Sequence, residues 1–188
     1  MQSRRESLRQ ELETIIGADT HMVWEIGCGH GHFLTAYARA HPQEKCIGID
    51  ISTERIDRAM RKRNRAQLSN LHFILADARM FLEVLPKEAR ISMAFALFPD
   101  PWPKKRHQKH RIMQQEFLQL LASKTAPGAR LLFRTDYRPY FDDTVGLLRE
   151  HPQWQLAPAD TPWPFEHETV FQSRAPQHFS LIAKAGHS

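Results

Sequence analysis

The chain has 188 residues, 41% hydrophobic and 25% charged, which is enough for a substantial apolar core. No apolar run approaches the roughly 18 residues that cross a bilayer as a helix, and the opening MQSRRESLRQELETII shows no apolar signal-peptide core, so no membrane association is expected. A single cytoplasmic domain over residues 1–188, with a short N-terminal helical arm, is expected. The formal net charge is +5, with eleven histidines besides, and the cations gather in RRESLR (4–9), RAMRKRNR (58–65) and KKRHQKHR (104–111). From charge alone a nucleic-acid footprint and a set of solvated helix faces are equally good readings.

In chain order, SLRQELETII (7–16) predicts an amphipathic helix. HMVWEIGCG (21–29) predicts a strand that runs into a glycine turn, and HFLTAYARAHP (32–42) a helix stopped by Pro42. KCIGIDIS (45–52) reads as a second strand, with Ser52 placed to cap the helix TERIDRAMRKRNRAQL (53–68). LHFILADA (71–78), ISMAFALF (91–98) and ARLLFRTD (129–136) are the third to fifth strands. The helix RIMQQEFLQLLASKT (111–125) precedes the fifth strand and stops at APG. YFDDTVGLLREHP (140–152) reads as a helix, and WQLAP (154–158) with HFSLIAKAG (178–186) as a closing strand pair. This alternation is an α/β pattern: a mostly parallel, seven-stranded sheet with helices on both faces. Ligands of such sheets bind beyond the C-terminal strand ends.

The unusual residues fall at those ends. EIGCGHG carries Glu25, Gly27, Gly29 and Gly31; it is neither a dinucleotide fingerprint nor a phosphate loop with its lysine. Asp50 ends the second strand, where a carboxylate can accept both hydroxyls of a ribose. Asp77 ends the third and can accept from an adenine amino group, with Ala78 offering a backbone N–H. Three acids and no phosphate binder suit a cationic sulfonium nucleoside, S-adenosyl-L-methionine; the plainer reading of the aspartates is helix capping. Cys28 and Cys46 fit no metal spacing and read as buried reduced thiols, the histidines are scattered, and no metal is expected.

FPDPWPKKRHQKHR (98–111) places a lone acid, Asp100, among prolines, with a cationic run directly after it. With EIGCGHG upstream, RTD (134–136) after the fifth strand and ETVF (168–171) near the end, it resembles the bacterial tRNA (guanine-N7)-methyltransferases from Glu25 onward. The resemblance implies a Rossmann-like class I S-adenosylmethionine-dependent methyltransferase fold. It implies methyl transfer to guanine N7 in tRNA, at position 46. On it, Glu25, Asp50, Asp77 and Asp100 match donor positions, and Asp100 also acts on the base. Lys104, Asp136 and Thr169 match substrate positions, with Gln172 beside them. Arg106, His107, Lys109 and Arg111 match the RNA-contact run.

The chain departs from the family pattern at Gln172, where a Glu is usual, at His110, where the basic run usually has Arg, and at Asp50, where Glu is usual. Trp102 is read either as packing under its loop or as stacking on a base. Other readings are a methyltransferase acting on another RNA or on a small molecule, since this fold hosts many substrates, and a non-catalytic RNA-binding homologue. Monomer and homodimer are both open.

Overall fold

The computed structural model describes residues 2–17, 20–167 and 177–186. The strands are β1 (His21–Ile26), β2 (Cys46–Asp50), β3 (Leu71–Leu75), β4 (Arg90–Leu97), β5 (Thr125–Thr135), β6 (Trp154–Leu156) and β7 (Phe179–Ala185). They form one sheet in the order β3-β2-β1-β4-β5-β7-β6. The first five run parallel, and β7 lies antiparallel between β5 and β6. The helices are α1 (Gln2–Ile16), α2 (His32–Ala40), α3 (Thr53–Ala66), α4 (Ala78–Val84), α5 (Gln115–Ala122) and α6 (Arg138–Glu150), with a 3₁₀ helix at Lys105–His110.

Because successive strand residues point to opposite faces, the apolar runs split into two cores. Trp24, Phe81, Phe117, Phe133 and Tyr140 pack on one face with Leu8 and Leu12 of α1. Val23, Phe33, Tyr37, Ile56, Phe73, Phe95 and Leu132 fill the other, under α2 and α3. Central strands buried on both faces explain why the sequence shows continuous apolar runs and not alternation. Both cysteines are buried free thiols. Among the described residues no helix is long and apolar enough to cross a membrane.

Several elements differ from the sequence expectation. α1 begins at Gln2, ahead of the expected start, and α4 and the 3₁₀ helix were not foreseen. α5 spans only Gln115–Ala122, because residues after Arg111 stay extended until Gln114. β5 begins at Thr125 and carries Pro127 and Gly128, the expected stop, inside it. The β4–β5 register jumps from Ile91↔Thr125 to Met93↔Arg130, so the proline sits in a bulge that needs no ladder N–H.

Gly31 shows why one turn residue is fixed by packing. Its φ is +69, and a Cβ there would stand 2.5 Å from Phe73 Cζ and 2.9 Å from the Ala59 methyl. Left-handed strain and overpacking combine, so Gly31→Ala is expected to cost about 3 kcal/mol in urea unfolding. Trimming the obstacle with Phe73→Leu should return part of that loss in the double variant.

Candidate active site: a carboxylate-lined cleft

A cleft of about 430 Å³ opens where β1, β2, β3 and β4 end. Its floor holds the turn after β1. Gly27 and Gly29 have positive φ, and a Cβ on either would meet nothing, so their open sides leave room for a ligand. Gly31, expected here as a cofactor contact, instead faces Phe73 and lies outside the cleft lining.

Glu25 is only 4% exposed, yet it lines the cleft. Burial raises its carboxyl to about 8; a backbone N–H from Leu34 opposes the rise and the Asp50 charge adds to it. Its Oε2 is buried with no partner among the described residues, an acceptor in want of a cationic donor. Asp50, equally buried, accepts from the Gly29 N–H at 3.1 Å and the Ser52 N–H at 2.9 Å, and Arg55 stands 3.5 Å away. A carboxylate has about four acceptor sites, so two N–H bonds leave room for vicinal hydroxyls. Ser52 also caps α3 by accepting from the Arg55 N–H.

Asp77 serves two ends. Its Oδ1 caps α4, accepting from the Arg79 and Met80 N–H groups at 3.0 and 3.1 Å, and the residue stays exposed in the cleft wall. The capping and ligand readings therefore coexist. Ala78 opens α4, where an N–H has no partner within the helix.

The far wall is the loop 98–111. Phe98 and Trp102 adopt φ of 51 and 42, a region bulky residues rarely occupy. Asp100 lies exposed between Pro99 and Pro101 and lines the cleft, as does Asp136 after β5. Lys104, Arg106 and Lys109 point to solvent. His107 and His110 set their rings 5.9 and 5.2 Å from the Trp102 indole, which leans on the 3₁₀ helix and remains 36% exposed.

Arg111 departs from the RNA-contact expectation. Its side chain is 3% exposed, with Nε donating to the Pro101 carbonyl at 2.8 Å and Nη1 to Asp143 at 2.6 Å. The guanidinium lies 4.7 Å from the Tyr140 ring centre. No external phosphate reaches it; it ties the loop to α6. Thr169 and Gln172 lie outside the described residues.

The structure adds residues the sequence reading passed over. Ile51 is 76% exposed on the cleft lining, an apolar plate beside Asp50 suited to a base. Its signal was a large aliphatic residue just past a strand-end acid. Arg55, His30 and His32 complete the rim. A larger hollow, about 770 Å³ between α6 and β7, has Arg138 already paired with Asp142 at 2.8 Å and holds none of the strand-end acids of β1 to β3. The strand-end acids mark the smaller cleft as the candidate site.

Topology and cleft together define a class I S-adenosylmethionine-dependent methyltransferase fold, and solved structures agree. A 16S rRNA methyltransferase, KamB, aligns with a TM-score of 0.70 at 20% identity, over 95% of this chain and 94% of that one. The antibiotic-resistance methyltransferase Kmr gives 0.64 at 19% identity, over 96% and 94%. A family model described as "Putative methyltransferase" matches residues 19–175. A tRNA (guanine-N(7)-)-methyltransferase of Magnetococcus marinus is 36% identical over 163 residues, 84% of this chain and 64% of that protein. One from Chromohalobacter salexigens is 33% identical over 172 residues, 88% and 70%. One from Yersinia pestis is 37% identical over 138 residues, 73% and 58%. The chain belongs to the tRNA (guanine-N7)-methyltransferase family, and it spans 58 to 70% of the length of these relatives.

The donor that family and fold imply fits the site: the unpartnered Glu25 oxygen faces a cleft that would receive a cationic nucleoside. A cation beside Glu25 favours its charged form, so binding should release a proton near pH 7. The free carboxyl, at about 8, is mostly protonated there, and affinity should tighten as pH rises towards 8. Calorimetry of donor binding in buffers of different ionisation enthalpy reads the proton count, and Glu25→Gln should abolish the release attributable to this group.

Proposed function

We propose that this protein transfers a methyl group from S-adenosyl-L-methionine to N7 of a guanine in tRNA, at position 46 by its family resemblance. The observation that carries the reading is Asp100, presented into the acidic cleft by two prolines with exposed Lys104, Arg106 and Lys109 immediately after it. A small neutral substrate has no need of those cations.

When bound, the donor supplies an electrophilic methyl on sulfur and leaves as a neutral thioether. Guanine N7 has a free lone pair and no proton, so the N7–carbon bond forms as the sulfur–carbon bond breaks, with no base required. The chain's task is alignment and electrostatics. Asp50 and Ile51 hold the nucleoside, Asp77 and Ala78 its base edge, and Glu25 its cationic end. Asp100 accepts from the N–H edge of the target guanine and offsets the positive charge left on the methylated purine. Asp136 borders the same space. Lys104, Arg106 and Lys109 contact the flanking phosphates, which gives position and affinity but no sequence reading. Those contacts also offset the few kcal/mol of drawing the base out of its stack. A tRNA substrate places the protein in the cytoplasm, acting as a monomer or homodimer.

The test is methyl transfer from labelled donor to unmodified tRNA, with the product nucleoside identified. Label should appear as 7-methylguanosine. Asp100→Ala should lower kcat by roughly a hundredfold or more, the scale for losing one preorganised electrostatic contact. A different methylated nucleoside, or no transfer by protein that binds the donor, would overturn the assignment.

A further inference from the structure

The sequence left one cationic segment without a task, RAMRKRNR on α3, and the structure shows how its charges are arranged. At 3.6 residues per turn, Arg55, Arg58, Arg61, Lys62 and Arg65 fall within roughly a third of the helix circumference. Ile56 and Ala59 face the core from another side. One carboxylate shares the cationic arc, Glu54, and Arg58 engages it at 2.6 Å. Arg63 turns back to the Leu68 carbonyl and stays outside the stripe. Arg61 and Arg65 are exposed and have no carboxylate partner among the described residues. Lys62 approaches not an acid but the ring of His32, at 2.7 Å. A face kept only for solubility carries interspersed signs. This arc holds five cations and one carboxylate, with Asp57 at its edge four residues before Arg61 and no ion pair between those two among the described residues.

The stripe also starts at the site. Arg55 lines the cleft together with Trp102 and His110, and so does His32, the partner of Lys62. In the sheet, β1 lies between β2, which feeds α3, and β4, which feeds the loop 98–111. The cleft therefore has a cationic rim on each side, and the α3 side extends about 15 Å from Arg55 to Arg65.

We propose that this face of α3 is a second phosphate-binding surface for the RNA, holding backbone that leaves the cleft on the side opposite the Lys104–Lys109 rim. It rests on the tRNA reading above. Charge complementarity selects a polyanion. A membrane surface is disfavoured because the apolar side of α3, Ile56 and Ala59, is buried in the core and cannot insert.

The test measures affinity for unmodified tRNA across a salt series. Arg61→Ala/Arg65→Ala should lower the magnitude of the log–log salt slope by about 2 and weaken binding roughly tenfold at low salt. Donor affinity should not change, and Arg61→Lys/Arg65→Lys should restore the slope. An unchanged slope in the alanine pair, while Lys104→Ala/Lys109→Ala lowers it, would show a solvated face and overturn the proposal. The tRNA reading itself fails separately, if wild-type protein shows no salt-dependent tRNA binding. Wild-type binding to phosphatidylserine vesicles, without tRNA binding and lost in the alanine pair, would reassign the stripe to a membrane and equally overturn it.

Discussion

A buried guanidinium holds the loop 98–111 in a shape the loop would not keep alone. Phe98 and Trp102 sit at positive φ, each at a cost of order 1–2 kcal/mol, and conformations of that kind persist only where the surroundings over-determine them. Arg111 does so from below, through the Pro101 carbonyl and Asp143. At the other end the Phe98 N–H donates to the Arg134 carbonyl at 2.7 Å. Arg134 is itself a buried cation, bonded to both carboxylate oxygens of Glu166 at 3.0 and 2.9 Å and to Ser180, with Trp163 4.2 Å away. Both guanidiniums are buried while their acid partners are half-exposed, so slippage would leave a buried cation short of its partner. Between them Asp100 needs no partner of its own to be held in position.

Charge is segregated by depth. The cleft interior gathers Glu25, Asp50 and Asp77, with Asp100 and Asp136 at its far wall, and the cations stand outside along the loop and α3. An acidic interior repels phosphate and draws a sulfonium; a basic rim does the reverse. On the function proposed, one surface would sort two ligands of opposite charge to different depths without moving. Glu25 shows the tension in the arrangement. It is buried without a cation, so its raised carboxyl is neutral over much of the ordinary pH range. The sign for stability follows: an unfolded Glu ionises near 4.5, the folded one near 8, so the group's contribution is full below 4.5 and is lost as pH rises between the two.

The sheet was legible because central parallel strands are apolar on both faces, and KCIGIDIS or ISMAFALF allows few other readings. The acids were legible because strand ends follow from strands. What escaped was whatever depends on a side chain's direction. Arg111 stands in a run of cations and reads as one more phosphate contact; only the fold reveals Tyr140 and Asp143 beneath it. Gly31 belongs to a glycine turn and reads as a ligand contact, but it makes room for Phe73, more than forty positions later in the chain. α4 went unseen because LHFILADA was read as strand up to Ala78, although Asp77 is also the cap that starts the helix.

The likeness to rRNA and antibiotic-resistance methyltransferases at about one fifth identity bears on where specificity resides. A sheet shared with proteins of such different names cannot by itself choose the acceptor. On the function proposed, the strand-end acids, Glu25, Asp50 and Asp77, answer to the donor, and a common donor is reason enough for a common frame. On the function proposed, acceptor choice would rest on the rim of the cleft: the proline-bounded Asp100, the 3₁₀ helix that presents Lys105 to His110, and the cations of α3. The first two share the loop after β4, and the third is one face of a helix. Each can change without disturbing the core, because none contributes a fully buried large side chain to it. His110, where the family pattern has Arg, lies on that exposed rim, whereas Arg111 and Arg134 are buried anchors.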